Sequence, residues 1–322
     1  MTEPLVRPMF DGPVDVIGDI HGELVPLNAL LEKLGYAKNG RHPAGRRLVF
    51  LGDLTDRGPD SPGVVAKVRK LVEAERAQCV LGNHEVNILL DLRKHGNAWM
   101  FGRPESLDRS GRTVPQVLAN DAIRREITGF FRTLPLVLER ADLRAVHACW
   151  SSALVDTARE ATDVVALHHA DAKQIETRLR EQGIDDALET ELAHQNENRV
   201  KALTSGREQR TVTPFEAGGK VRVLERVQWW RDYTEEAFCV FGHYWRTPVP
   251  GLAKGENLFT DHPPHGLLAG GRAMCIDYSV GGRWSERLQP GFAGKYETRL
   301  GALRWPERRL MFEDGSEAAL GS

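Results

Sequence analysis

At 322 residues the chain exceeds the usual single-domain size, yet it suits one large α/β domain with ample core. Its net charge is −2, with 43 basic and 45 acidic residues interspersed, so nothing supports a general nucleic-acid-binding surface or a membrane-attracting face. Cys79, Cys149, Cys239 and Cys275 all lie in or beside apolar strand-like runs and lack zinc-ribbon spacing. They read as buried thiols of a reducing compartment, with Cys149 notable for lying two residues from His147. No leading basic-then-apolar segment reads as a signal peptide, and no apolar run approaches the ~20 residues of a membrane span. The expectation is a cytoplasmic protein.

Residues 1–13, with prolines and a glycine, read as a leading arm. From Val14 to Glu85 one device is repeated three times: an apolar, β-branched run, then glycine, then a residue with metal-binding chemistry. The blocks are Val14–His21–Gly22, Leu48–Asp53–Gly58 and Cys79–Asn83–Glu85. Between them, Leu24, Leu27, Leu30, Leu31 and Leu34 fall at helical spacing before Gly35, and Val64, Val65, Val68, Leu71 and Val72 do so after Pro59–Gly63. The unit reads β-α-β-α-β, hence parallel strands whose carboxyl ends align Asp19, His21, Asp53 and Asn83 along one edge.

Beyond Glu85 a helix carries Ile88, Leu89, Leu90 and Leu92. Residues 95–130 read as a surface loop through Pro115, overlapped by a helix from about Val114 to Thr133, and Leu143–His147 reads as a strand. Residues 156–210 are charged and rich in helix formers, without a repeat or a heptad seam. They are expected to form a helical insertion or partial cap within a single domain spanning residues 1–322. Gly218-Gly219 reads as a turn, Ala237–Phe241 and Ala273–Asp277 as strands, and Tyr296–Leu303 with Arg309–Phe312 as an edge hairpin. Trp229 and Trp230 read as buried against a sheet. His168, His169 and His194 read as solvent-facing, and Gly281-Gly282 as a turn.

The blocks GDxHG at Gly18–Gly22, GDxxDRG at Gly52–Gly58 and GNHE at Gly82–Glu85 resemble the signature of the calcineurin-like metallophosphoesterases. The nearest branch is that of the phosphoprotein phosphatases and bacterial diadenosine tetraphosphatases. His147-Ala148 and Gly242-His243 extend the likeness downstream, so that it spans about Val14 to Ser279. The resemblance implies a four-layer α-β-β-α sandwich of two mixed sheets flanked by helices. It also implies a dinuclear centre in which Asp19 and His21 bind one ion, Asn83, His147 and His243 bind the other, and Asp53 bridges. Mixed nitrogen and oxygen donors suit Mn²⁺, Fe or Zn²⁺, and two Mn²⁺ ions are the expectation. His84, paired with Asp56 in the family, is the expected proton donor to the leaving group, and Arg57 the expected phosphate clamp. Asp277 is expected to support His243.

The expected reaction is phosphoester hydrolysis by metal-activated water, with a phosphoserine/phosphothreonine-type or small phosphomonoester as the first substrate class. Dinucleoside polyphosphate hydrolysis is the alternative, and a non-catalytic scaffold is an alternative of another class. The chain departs from the family at Cys149-Trp150, where HAG is common, and at Tyr244-Trp245, where a small hydroxyl residue often follows the histidine.

Overall fold

The computed structural model describes residues 3–106, 113–217, 220–247 and 258–320. Along them the strands are β1 (Val6–Pro8), β2 (Val14–Ile17), β3 (Arg47–Phe50), β4 (Ala77–Cys79), β5 (Val137–Glu139), β6 (Leu143–Val146), β7 (Glu208–Ala217), β8 (Lys220–Arg226), β9 (Phe238–Phe241), β10 (Ala273–Cys275), β11 (Gly301–Trp305), β12 (Arg309–Phe312) and β13 (Glu317–Ala319). The helices are α1 (Leu24–Leu34), α2 (Ser61–Glu73), α3 (Asn83–Leu89), α4 (Asp121–Phe131), α5 (Ser152–Ala158), α6 (Val164–Glu181), α7 (Ala187–Glu197), α8 (Arg199–Ser205) and the short α9 (Arg283–Glu286).

Two mixed sheets result. One runs β13-β12-β11-β2-β3-β4 and the other β1-β5-β6-β9-β10, while β7 and β8 form a separate ribbon. The expected β-α-β-α-β unit is present: β2, β3 and β4 pair in parallel, with Val16 opposite Val49 and Val49 opposite Gln78. In the second sheet β6, β9 and β10 are likewise parallel.

Both faces of each sheet are covered, so the period-2 alternation sends apolar side chains in two directions. Val14, Val16, Val49, Val80, Ala145, Val240 and Met274 meet in a core between the sheets. Ile17, Phe50, Cys79, Val146, Phe241 and Cys275 belong to the outer core, which also holds the helical residues Leu27, Leu30, Val64 and Val68. Each such side chain contributes about 1.5–3 kcal/mol on full burial, which anchors the strand ends from which the site projects.

Several elements differ from expectation. The leading arm contains β1, which pairs with β5 as an edge strand that tolerates Pro8. The helix expected from Val114 starts at Asp121, because Asn120 caps it by accepting the Ile123 N–H at 2.9 Å. The earlier N–H groups are used elsewhere: Val114 donates to Glu105 and Val117 to Pro59. The region before α4 is more than a surface loop, since Trp99 is fully buried. Helix α3 stops at Leu89, and Leu92 is exposed. Strand β11 lies inside its sheet, between β2 and β12, leaving β13 at the edge. Helices span most of residues 152–205, after which β7 begins within the expected helical segment. The Gly218-Gly219 turn lies outside the described residues.

Trp229 and Trp230 are buried, and His169 is exposed, but His168 and His194 are half-buried. All four cysteines are buried and free. Among the described residues, no helix is long and apolar enough to cross a membrane.

Candidate metal centre

Asp19 and His21 leave the end of β2, Asp53 the end of β3, His147 the end of β6 and His243 the end of β9, while Asn83 and His84 open α3 just after β4. Parallel pairing brings these carboxyl ends together across both sheets. Their loops are tied to one another: the N–H groups of Ile20 and His21 both donate to the Asp53 carbonyl, at 3.0 and 2.8 Å, and Gly58 N–H donates to the His21 carbonyl at 2.9 Å.

The approach is so close that it calls for glycine at several positions, Gly82 and Gly242 among them. A Cβ on Gly82 would fall on Asp53 Oδ1, and one on Gly242 would fall on Asp19 Oδ1. His21, Asp53, Asp56, Arg57 and His243 all have left-handed backbones, with φ of 47°, 46°, 73°, 65° and 67°. Each costs of order 1–3 kcal/mol and persists only because the surrounding hydrogen bonds over-determine it. Glu85 is the main clamp. Its carboxylate accepts the N–H groups of Asp53 at 2.7 Å, Leu54 at 2.9 Å and Gly82 at 3.0 Å.

The side chains converge. His147 Nε2 lies 3.2 Å from Asn83 Oδ1 and 3.4 Å from Asp53 Oδ1, and His243 Nδ1 lies 2.9 Å from the same Asn83 oxygen. His21 Nε2 lies 3.7 Å from Asp53 Oδ2 and 3.9 Å from Asp19 Oδ2. Among the described residues two groups could each hold an ion, one of His21, Asp53 and His84 and one of Asp53, His147 and His243, with Asp53 common to both.

Outer contacts orient the rings: Nδ1 of His147 faces the Leu51 carbonyl at 2.6 Å and Nδ1 of His21 the Thr55 carbonyl at 3.0 Å. Donation there turns each Nε2 toward the cluster, as the position of the ring that takes a metal or, in its absence, a proton. Among the described residues, His243 Nε2 is buried without a partner.

The electrostatics describe a site short of positive charge. Burial alone would depress His147, but the Asp53 and Asp19 carboxylates overcome it and push the imidazole up to about 10. Burial would raise Asp53, but His147 and His84 outweigh it and hold the carboxyl well below the usual range. Burial, reinforced by Asp277, drives Asp19 well up. His21 and His243 are driven well down by burial, aided by Arg57 and Arg226 respectively, which keeps them neutral as metal ligands must be.

Beside the cluster, His84 Nδ1 meets Asp56 Oδ2 at 2.5 Å, and Asp56 Oδ1 accepts from Trp99 Nε1 at 2.7 Å. Arg57 bridges the two halves, with one guanidinium nitrogen 3.1 Å from His21 Nε2 and the other 3.3 Å from His84 Nε2. The pull of burial on His84 is outweighed by Asp53 and Asp56, so its imidazole holds a proton more firmly than usual.

The sequence profile of the calcineurin-like phosphoesterases matches residues 12–244. The chain belongs to this family. Within it, the asymmetrical bis(5'-nucleosyl)-tetraphosphatase PrpE of Geobacillus thermodenitrificans is 38% identical over 140 residues, covering 42% of this chain and 56% of that protein. The corresponding PrpE of Oceanobacillus iheyensis is 51% identical over 74 residues, covering 22% and 30%. The matched stretches thus span 30% to 56% of these relatives' own length. Among solved structures, a cold-active protein-tyrosine phosphatase of a Shewanella species superposes with a TM-score of 0.52 at 15% identity, covering 100% of this chain and 83% of that one. That likeness is one of fold, and it agrees with the two mixed sheets flanked by helices.

As a calcineurin-like phosphoesterase, the chain fits a cation pair by the chemistry of its donors. His147 Nε2 faces an amide oxygen and a carboxylate oxygen, an arrangement that needs either a proton or a metal between the partners. Every residue expected for the centre lies in this cluster, with Asp56 and Arg57 at its side. Asp277 does not bond His243: its Oδ1 accepts the Ser279 N–H at 2.8 Å, its Oδ2 has no partner, and the His243 N–H goes to Asp19. Glu85 closes the third block, yet nothing in the block's pattern marks it as a clamp, and Trp99, in a 3₁₀ turn over Ala98–Phe101, carries no sequence signal. Cys149 is no part of either metal grouping; its Sγ contacts the Trp150 carbonyl at 3.6 Å. The Trp150 ring lies against Arg144 instead of the cluster.

Proposed function

We propose that this chain hydrolyses dinucleoside polyphosphates, using two divalent cations held by Asp19, His21, Asp53, Asn83, His147 and His243, with Asp53 shared. Mn²⁺, Fe and Zn²⁺ all suit this mixed donor set, and Mn²⁺ is the ion proposed. When bound, such cations neutralise phosphoryl charge and activate water for attack. The protein's own groups supply the rest. Arg57 binds phosphate oxygens through its planar fork. His84 Nε2 donates its proton to the departing oxygen, while Asp56 on the opposite nitrogen holds the ring in place and keeps it protonated.

The observation that carries the chemistry is the meeting of this acid with the clamp and the shared carboxylate: His84 Nε2 lies 3.3 Å from Arg57 and 3.8 Å from Asp53 Oδ2. The substrate class is supported by the PrpE relatives, which shift the balance from phosphomonoesters to the dinucleotide alternative. The full ligand set speaks against a non-catalytic scaffold. Helices α6 and α8 pack on α3, the helix that opens with Asn83 and His84, which supports α5–α8 as a partial cap of one domain. Four buried free thiols support a cytoplasmic location.

The test is a Mn²⁺-supplemented panel on purified protein, comparing diadenosine tetraphosphate, p-nitrophenyl phosphate, bis-p-nitrophenyl phosphate and a phosphothreonine peptide. The expected result is the highest kcat/KM on the dinucleotide. Preference for the peptide would return the protein to the phosphomonoesterase reading, and no turnover with two metals bound would favour the scaffold.

A further inference from the structure

Trp245 follows two residues after His243. It remains 42% exposed, although both neighbours are anchored: Tyr244 and Arg246 are each only 1% exposed. Tyr244 packs edge-on against Trp230 and Phe241. Arg246 donates to the carbonyls of Pro263 at 2.9 Å and Gly266 at 2.6 Å, and its N–H donates to the Asp277 carbonyl at 2.7 Å. With the backbone held on both sides, Trp245 is presented outward on a rigid mount. A single exposed aromatic is ordinary on a protein surface; what singles out Trp245 is this fixed presentation together with what lies against its ring.

The indole also has a defined address. The Arg57 guanidinium lies over its ring, 4.7 Å from the centroid, within cation–π range. The same guanidinium reaches His21 Nε2 at 3.1 Å and His84 Nε2 at 3.3 Å. A phosphoryl group gripped by Arg57 therefore places whatever it carries within reach of Trp245. A planar aromatic group would stack there, and a short alkyl or peptide group would gain little.

We propose that Trp245 is a specificity residue that stacks the nucleobase of a nucleoside polyphosphate whose phosphate is held at Arg57. This deepens the dinucleoside polyphosphate reading and rests on it. Stacking of a base on an aromatic side chain tolerates different bases, so Trp245 selects for a nucleotide without choosing among nucleobases. It also steadies Arg57, and the two roles separate because only stacking depends on a ring in the ligand.

The test is calorimetric binding of ADP and of pyrophosphate to the Mn²⁺-loaded protein, for the wild type, Trp245→Ala and Trp245→Phe. The two probes differ by the nucleoside alone, and the readout is the ratio of their dissociation constants. The wild type should bind ADP about tenfold or more tightly than pyrophosphate, by the usual strength of base stacking. Trp245→Ala should bring that ratio to within about twofold of unity, and Trp245→Phe should restore most of it. A ratio unchanged in Trp245→Ala would overturn the proposal, as would equal weakening of both probes, which would leave Trp245 only a support for Arg57. Failure of the wild type to bind ADP more tightly than pyrophosphate would overturn it too. Binding does not require turnover, so a hydrolysis panel that favours phosphomonoesters would refute the substrate reading separately.

Discussion

The charge deficit of the metal cluster makes a stability prediction that can be worked through. In the metal-free protein His147 is held protonated by Asp53 and Asp19, up to about 10 against an ordinary value of 6.5. A group raised on folding contributes its stability fully below its unfolded value and loses it as pH rises through the folded value. For this fully buried imidazole the interval corresponds to about 5 kcal/mol in the fully protonated range. Between pH 6.5 and 9.5 the group alone should cost the metal-free protein about 3 kcal/mol. A bound cation replaces the proton, so the metal-loaded protein should show little of this decline. The assay is urea denaturation at pH 6.5, 8 and 9.5, with chelator-stripped and Mn²⁺-saturated protein compared at matched ionic strength. A flat profile for the stripped protein would refute the reasoning, and so would equal slopes for the two forms, since either result means that no proton stands in for the metal at His147.

Replacing Asp53 by Asn should abolish turnover and reduce bound metal below two ions per chain, measured by elemental analysis, while the circular dichroism spectrum stays native; full metal occupancy would remove Asp53 from the shared position. Replacing His84 by Ala should lower kcat by about 10²–10⁴-fold on alkyl phosphates and much less on p-nitrophenyl phosphate, whose leaving group needs no proton. Equal losses across leaving groups would exclude it as the acid. Gly242→Ala should weaken Mn²⁺ binding by about 10–100-fold, because the new methyl displaces the Asp19 carboxylate; an unaltered metal titration would show that Asp19 can give way.

Much of the site was legible in the sequence because its chemistry is concentrated at strand ends. Where an apolar run stops at glycine, the next polar residue is delivered to the sheet edge, and parallel pairing makes that edge a common one. Asp19, His21, Asp53 and Asn83 could be placed on these grounds, while His84, His147 and His243 needed the family likeness to single them out. Strands β2 and β3 and helices α1 and α2 were also readable, since periodicity, an Asp60 cap and a left-handed Gly35 are local signals.

What escaped was decided by contacts between segments far apart in the chain. Trp99 closes on Asp56 across 43 residues, a pairing that no local pattern encodes. Asp277 stands near the cluster but bonds its own turn, because the Asp19 carboxylate already occupies the His243 N–H. Strand β1 forms because β5 offers it a free edge, and β11 enters the sheet interior because β2 has an unpaired side. The sequence by itself thus determined which donor-bearing residues the strand ends deliver to one edge. The tertiary structure decided how closely they approach, what charge they hold and which aromatic side chain lies against Arg57, because burial, pairing and electrostatic fields are properties of the assembled sheets.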